Sequence, residues 1–219
     1  MAINKQEYES LLAELAVKKV QLVAVSKIKP ASDIQVLYDL GQRDFGENYV
    51  QELVDKEAIL PKDIHWHFIG HLQSNKVKYI APFVYLIHGI DSFDLLKEVN
   101  KQGAKCNRVI DCLLQVHIAQ EETKFGFDEK ELFALPDLHE LKNVQVVGLM
   151  GMGSFSEDKE KVRGEFKKLK SSFDQFSSTY FPLSVLSMGM SADYAMAIEE
   201  GSTMVRVGSL LFGVREYSK

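Results

Sequence analysis

Eight short runs of apolar and β-branched residues recur along the chain, and segments with helical spacing separate them. The runs cover residues 20–26, 43–47, 65–70, 84–90, 111–118, 144–152, 183–189 and 204–210. Helical periodicity occupies 31–41, 48–58, 73–81, 93–103, 128–139, 157–178 and 191–201, and a further helix at 4–18 precedes the first run. A doubly wound open sheet usually manages with about five or six strands, so eight in alternation point to an α/β chain closed into one (β/α)8 TIM barrel. No Pro/Ser-rich linker, low-complexity tract or repeat cuts the sequence. The 219 residues barely cover one such barrel, and a single domain over 1–219 is expected.

Composition narrows the function classes. A hydrophobic fraction of 46% supports a substantial core, and the formal charge of -5 comes from interspersed acids and bases. That pattern leaves no basic stripe for nucleic acid. The N-terminal stretch MAINKQEYES is polar, and no apolar run approaches the length of a membrane span. A soluble cytoplasmic protein, monomeric, with no nucleic-acid or membrane partner, is expected. Cys106 and Cys112 lack CxxC spacing and read as ordinary buried or half-buried thiols.

The first run ends unusually. In VQLVAVSKIKP, period two places Gln21, Val23, Val25 and Lys27 on one face and Val20, Leu22, Ala24 and Ser26 on the other. Lys27 thus shares a face with buried valines. A fully buried ammonium costs several kcal/mol, so this lysine must reach water, lose its proton or be used chemically. Barrel proteins place their functional groups at the C-terminal ends of strands, where Lys27 sits. A rim lysine with a solvated head is the plain alternative.

Two small-residue turns follow the last two strands: Ser187, Met188 and Gly189, then Gly208 and Ser209. Either alone reads as a tight turn with a Ser cap. Together, after strands seven and eight, they occupy the place where barrels frequently hold a phosphate. Closure brings strand eight beside strand one, and therefore the turns beside Lys27. A lysine next to a phosphate pocket suggests Schiff-base chemistry, either with pyridoxal 5'-phosphate (PLP) or with a sugar-phosphate carbonyl in an aldolase. Arg206 shares a face with Met204 and Gly208 and points into the mouth. No convincing carboxylate pair for an aldolase can be placed there, whereas an arginine at the pyridine nitrogen would weaken PLP as an electron sink.

The stretches VAVSKIKP, GQRDFGENYVQE, WHFIGHLQSNK, GLMGMGSF and LSMGMSADYAMAIEEGSTMVRVGSLLFGVREYS, with KFGF at 124–127 less closely, resemble the YggS/PROSC family of PLP homeostasis proteins. That family is related to the N-terminal barrel of alanine racemase. The resemblance implies a PLP carrier and homeostasis protein without catalytic residues, with apo PLP-dependent enzymes as recipients. It implies Lys27 as the Schiff-base lysine, Ser187, Gly208, Ser209 and neighbouring amides of Met188 and Gly189 on the phosphate, and Arg206 facing the pyridine nitrogen. It also puts Asn48 near the 3-hydroxyl and Met150 near the cofactor face. A racemase-like PLP enzyme is the alternative; racemisation needs a second base opposite the lysine, which Tyr49 supplies less well than it fills a rim position. The segment before Lys27 is somewhat shorter than is common in the family, and HIAQEETKFGF keeps Lys124 and Gly126 around Phe125.

Other features read plainly. His65, His67 and His71 tempt a metal reading, but no fourth ligand stands near them and no metal is expected. Gln73 and Lys76 begin a helix at the pocket mouth. Val162, Phe166, Leu169 and Phe173 form the core stripe of an outer helix.

Overall fold

The computed structural model describes residues 3–119 and 125–213; Lys124 and the end of the last family stretch lie outside them. Eight parallel strands close in chain order, with β8 returning to β1. They are β1 Gln21–Val25, β2 Asp44–Glu47, β3 His65–Phe68, β4 Leu86–Ile90, β5 Ile110–Gln115, β6 Val144–Met150, β7 Val185–Met190 and β8 Met204–Val207. The helices are α1 Lys5–Lys18, α2 Ala31–Asp39, α3 Val50–Ile59, α4 Val77–Ile80, α5 Phe93–Lys105, α6 Glu129–Phe133, α7 Lys159–Thr179, α8 Tyr194–Glu199 and α9 Ser209–Phe212. Eight strands and the helix before β1 stand where the periodicity puts them, and a single helical turn, α9, follows β8.

Strand parity separates two cores. Leu22 and Ala24 of β1, Trp66 and Phe68 of β3, and Cys112 and Leu114 of β5 face outward into a layer shared with the helices. Ile34 and Leu37 of α2, Leu53 of α3, and Val162, Phe166, Leu169 and Phe176 of α7 cover that layer. Full burial of each such side chain contributes about 1.5–3 kcal/mol. A smaller inner core holds Val23, Leu86, Leu113, Met150 and Met204. Side-chain oxygens cap the longer helices: Glu7 N–H donates to Asn4, Leu95 N–H to Ser92, and Glu160 and Lys161 N–H to Asp158.

Three helical segments are shorter than their periodicity. The 73–81 segment is a 3-10 turn, Ser74–Lys76, leading into the single turn of α4. The 128–139 segment divides into α6 and a 3-10 turn at Leu138–Glu140, because Pro136 between them cannot donate to a helix and disfavours helical backbone before it. The last, at 191–201, starts only at Tyr194. The cause lies in β7. Its register against β8 pairs Ser187 with Met204 but Met190 with Arg206, so three steps oppose two. This bulge passes through Gly189 at φ +95, where an added Cβ would stand 2.6 Å from the Ala197 Cβ of α8.

A polar column runs up the inside of the barrel beside the apolar inner core. Arg206 Nη1 donates to Ser187 Oγ (2.6 Å), and Ser187 Oγ lies 3.3 Å from His88 Nδ1. His88 Nε2 lies 2.9 Å from His67 Nδ1, and His67 Nε2 is 2.9 Å from Asp44 Oδ1. The end groups set the direction, since a guanidinium only donates and a carboxylate only accepts. His67 donates to Asp44 and accepts from His88, which accepts from the Ser187 hydroxyl. Both histidines must be neutral for this pattern. Burial holds His67 below its usual range, against the pull of Asp44, and pushes His88 well below it, helped by His67 and Arg206. Burial alone would push Asp44 up, but the hydrogen bond it accepts from His67 keeps it low.

The column predicts an acid-sensitive core. The unfolded chain takes up a proton on each histidine near pH 6.5, its ordinary value, while the folded chain resists it. Stability therefore falls as pH drops below about 6.5, by up to about 1.4 kcal/mol per pH unit per histidine. Glu47, pushed up to about 7 by burial, acts oppositely between its unfolded value and neutrality. A difference measurement cancels it. In urea titrations the stability advantage of the wild-type chain over His88→Gln shrinks as pH falls from 7 to 5; a constant difference would show that His88 is not held neutral.

Candidate functional site

At the C-terminal ends of β1, β2, β7 and β8 the mouth of the barrel opens into a cleft of about 280 Å³. Lys27, Asn48, Arg206, Gly208 and Ser209 line it, with Met190, Ser191 and Ala192 from the β7 end and Met152 and Phe155 from the loop after β6. Lys27 stands two residues beyond the end of β1, on the face that period two assigns it; Val25 of the same face lines the cleft below it. Arg206 forms part of the floor. It is 4% exposed, and its second amino group donates to the Gly151 carbonyl (3.1 Å). Burial lowers it to about 10, which leaves a full positive charge at neutral pH. That charge is the upper end of the polar column.

Gly208 is the residue just before α9, and an added Cβ there would stand 3.1 Å from the Val25 carbonyl oxygen, a contact too tight to form without a shift of the β1 end. Its N–H donates to Ser191 Oγ (3.2 Å), tying the two turns together. Met190 N–H is held by Asp193 Oδ1 at 2.6 Å. Asn48 contributes a buried Oδ1 with no hydrogen-bond partner, an acceptor left open toward a donor.

Four expected residues sit elsewhere. Ser187 is fully buried, its hydroxyl committed to Arg206 and His88 beneath the cleft. Met188 is fully buried in the outer core, and Gly189 lies against α8. The bulge accounts for all three, because it delivers Met190, Ser191 and Ala192 to the cleft in their place. Period-two counting from Ser187 carries no sign of it. Met150 faces inward but belongs to the inner core; Met152, two residues on, reaches the cleft. Ser187, Met188, Gly189 and Met150 thus stand below and behind the cleft rather than in its lining.

His71 stands apart from the other two histidines of this stretch. His67 belongs to the column inside the barrel, and His65 stacks on Tyr85 and lies 3.2 Å from the same Asp44 Oδ1 that ends the column, whereas His71 stacks on Phe125 and pairs with Asp91 at 2.9 Å. Among the described residues no three His, Cys, Asp or Glu side chains converge as metal ligands. Gln73 and Lys76 line a neighbouring groove with Tyr49 and Tyr79, on the far side of Asn48. No helix among the described residues is long and apolar enough to cross a membrane.

The family model of the alanine racemase N-terminal domain matches residues 5–216. A pyridoxal phosphate homeostasis protein of Aquifex aeolicus is 45% identical over 200 residues, covering 90% of this chain and 88% of the relative. PipY of Synechococcus elongatus PCC7942, solved without PLP, superposes with a TM-score of 0.90 at 37% identity, covering 95% of this chain and 99% of PipY. PipY with PLP bound gives 0.87 at 36% identity over the same shares. An alanine racemase of Clostridium difficile shares the fold, with a TM-score of 0.75 at 12% identity, covering 99% of this chain and 59% of the racemase. With the eight-stranded barrel, a lysine at the end of its first strand and an arginine under the mouth, the chain belongs to the alanine racemase N-terminal domain family and, within it, to the pyridoxal phosphate homeostasis proteins.

Proposed function

We propose that this chain binds PLP in the mouth of its barrel as a Schiff base to Lys27, carries it, and maintains its intracellular level. In this reading the 219 residues act as one PLP-binding unit, monomeric and cytoplasmic, that yields the cofactor to apo PLP-dependent enzymes. The observation that carries it is the meeting of Lys27, Arg206, Gly208 and Ser209 in one cleft of a homeostasis-family member. PipY, its structural neighbour, has been solved with PLP bound.

The residues present fit the cofactor. When bound, PLP supplies an aldehyde that a primary amine can trap reversibly. Lys27, whose primary amine lines the cleft, would be the residue that holds the aldehyde end. Ser191, Ala192, Gly208 and Ser209 hold the phosphate, a set shifted from the Ser187–Gly189 turn by the β7 bulge. Arg206 donates to the pyridine nitrogen and, with a value near 10, does not give up its proton to it. Asn48 accepts from the 3-hydroxyl through its unpartnered Oδ1. Met152 lies against the ring.

The same cleft supports a carrier rather than an enzyme. Racemisation takes a proton from one face and returns it on the other, and so needs a second base. The ionisable residues lining the cleft, among those described, are Lys27 and Arg206; no carboxylate, histidine or tyrosine lines it.

Borohydride treatment of the PLP-loaded chain traps the adduct on Lys27, and Lys27→Ala abolishes it while leaving the thermal transition in place. A reduced adduct found on another lysine overturns the assignment. Ser209→Ala, by removing one hydrogen bond to a charged group, weakens PLP by about 1.5–3 kcal/mol and pyridoxal far less. Equal weakening of both places the phosphate elsewhere. With L- and D-amino acids in heavy water the loaded chain exchanges α-protons far more slowly than about 1 per second. Exchange at that rate, lost in Lys27→Ala, makes it an enzyme.

A further inference from the structure

The two residues flanking Lys27 are both tied to one buried ionic cluster behind the barrel wall. Ser26 points outward, opposite to Lys27, and its hydroxyl donates to Glu47 Oε1 of β2 at 2.6 Å. Its carbonyl accepts from Lys56 Nζ of α3 at 2.8 Å. Lys56 Nζ also donates to Glu47 Oε1 and to Glu52 Oε1, both at 2.7 Å, so its three hydrogens are all used. Glu52 Oε1 accepts in addition from the backbone N–H of Ile28 at 2.6 Å. Side-chain exposure is 8% for Lys56, 0% for Glu47 and 23% for Glu52. Ionic, desolvated and short, this cluster grips the chain one residue before and one residue after Lys27.

Its grip has a visible consequence. Ile28 is held at φ +62, in the left-handed region. For a β-branched residue that conformation costs on the order of 1–3 kcal/mol and persists only where its surroundings impose it. Two contacts hold it there: the Glu52 bond to its N–H, and the turn bond from Lys29 N–H to the Ser26 carbonyl (3.1 Å), the same carbonyl that Lys56 anchors. Nor does stability alone explain the cluster, because a buried ion pair is often replaceable by apolar side chains without loss. Glu47 is indeed poorly accommodated: burial pushes it up to about 7, and its Oε2 has no partner.

We propose that Glu47, Lys56 and Glu52 are positioning residues for Lys27, acting through Ser26 and the strained Ile28 to keep the lysine amine aimed over the cleft. The inference rests on the reading in which Lys27 condenses with PLP. Loosening the cluster lets Ile28 relax to negative φ, turns the Lys27 backbone, and slows covalent capture without removing the phosphate and pyridine contacts made by β7 and β8.

Two measurements on the full-length chain separate these effects. The first is the rate of covalent capture at saturating PLP, followed by absorbance and confirmed by borohydride trapping. The second is equilibrium binding of pyridoxine 5'-phosphate, which carries an alcohol in place of the aldehyde. Glu52→Ala slows capture by roughly tenfold or more, as misaligned reactants do, and changes pyridoxine 5'-phosphate binding by no more than about twofold. Glu52→Gln, whose amide oxygen still accepts from Ile28, keeps most of the rate. Adding Ile28→Asn to Glu52→Ala recovers it, because asparagine enters the left-handed region far more readily than isoleucine. Capture at the wild-type rate in Glu52→Ala, parallel loss of both measurements, or no recovery by Ile28→Asn overturns the proposal. Wild-type chain that binds PLP without any trappable adduct refutes the Lys27 reading itself, and is told apart from failure of the positioning role by that control.

Discussion

A guanidinium inside a barrel is the constraint on which the rest of this molecule depends. Arg206 sits 4% exposed between the inner core and the mouth, and an isolated charge there would cost many kcal/mol. Its solution is to spend its donors downward and sideways, on Ser187 and Gly151, and to pass polarity through two histidines to Asp44. Each member has its hydrogen-bonding role dictated by the ends of the chain. The column therefore fixes the arginine as firmly as packing fixes Val23 or Leu113 on the other side of the interior. It leaves a rigid positive floor under an otherwise open cleft.

The walls of the mouth are fixed by a repeated device. Glu52 of α3 holds Ile28 after β1, Asp193 holds Met190 at the end of β7, and Glu165 of α7 accepts from both the N–H and the hydroxyl of Ser154 after β6. Asp193 and Glu165 reach back, from just beyond β7 and from the helix after β6, and Glu52 reaches across from α3, which follows β2; each takes a backbone N–H at or just past a strand end. Strand ends expose backbone donors that no ladder satisfies, and a carboxylate is a strong acceptor for them. Loops anchored this way are preorganised, and a ligand meets them without the entropy cost of ordering them.

The elements that obey a simple period were legible. Eight strands, the leading helix, Lys27 and Arg206 follow from counting in twos and in 3.6s, because burial on two sides leaves the sequence little freedom at those positions. Where the backbone departs from period, legibility stops. The β7 bulge moves Ser187 below the cleft and Ser191 into it, and SMGMS reads alike with or without it. His67 was readable as strand-borne, but its partnership with His88 depends on the β3–β4 register, which one strand's pattern does not contain. Glu47 ends a strand run while Glu52 and Lys56 lie in the helical stretch after it, and only the closed barrel brings the three together behind Ser26. Glu165 hid likewise in the charged α7, three residues after Val162 on the buried side of the helix.

On the proposed function, the two buried charge systems would divide the labour of holding a reactive aldehyde without transforming what it captures. On the proposed reading, the cluster behind β1 presents the amine, while the column beneath β8 sets the electronics at the opposite edge of the ring. Arg206, with a value near 10, holds its proton at neutral pH and meets a pyridine nitrogen as a hydrogen-bond donor only. A ring so bound withdraws electrons weakly, and carbanions beside it are poorly stabilised. An amine that arrives at the mouth can still displace Lys27 at the C=N carbon, since that exchange needs no carbanion. Capture and release by amine exchange are therefore favoured over proton abstraction by the same buried charge that organises the barrel interior. The absence of a second ionisable acid or base among the described cleft-lining residues works in the same direction.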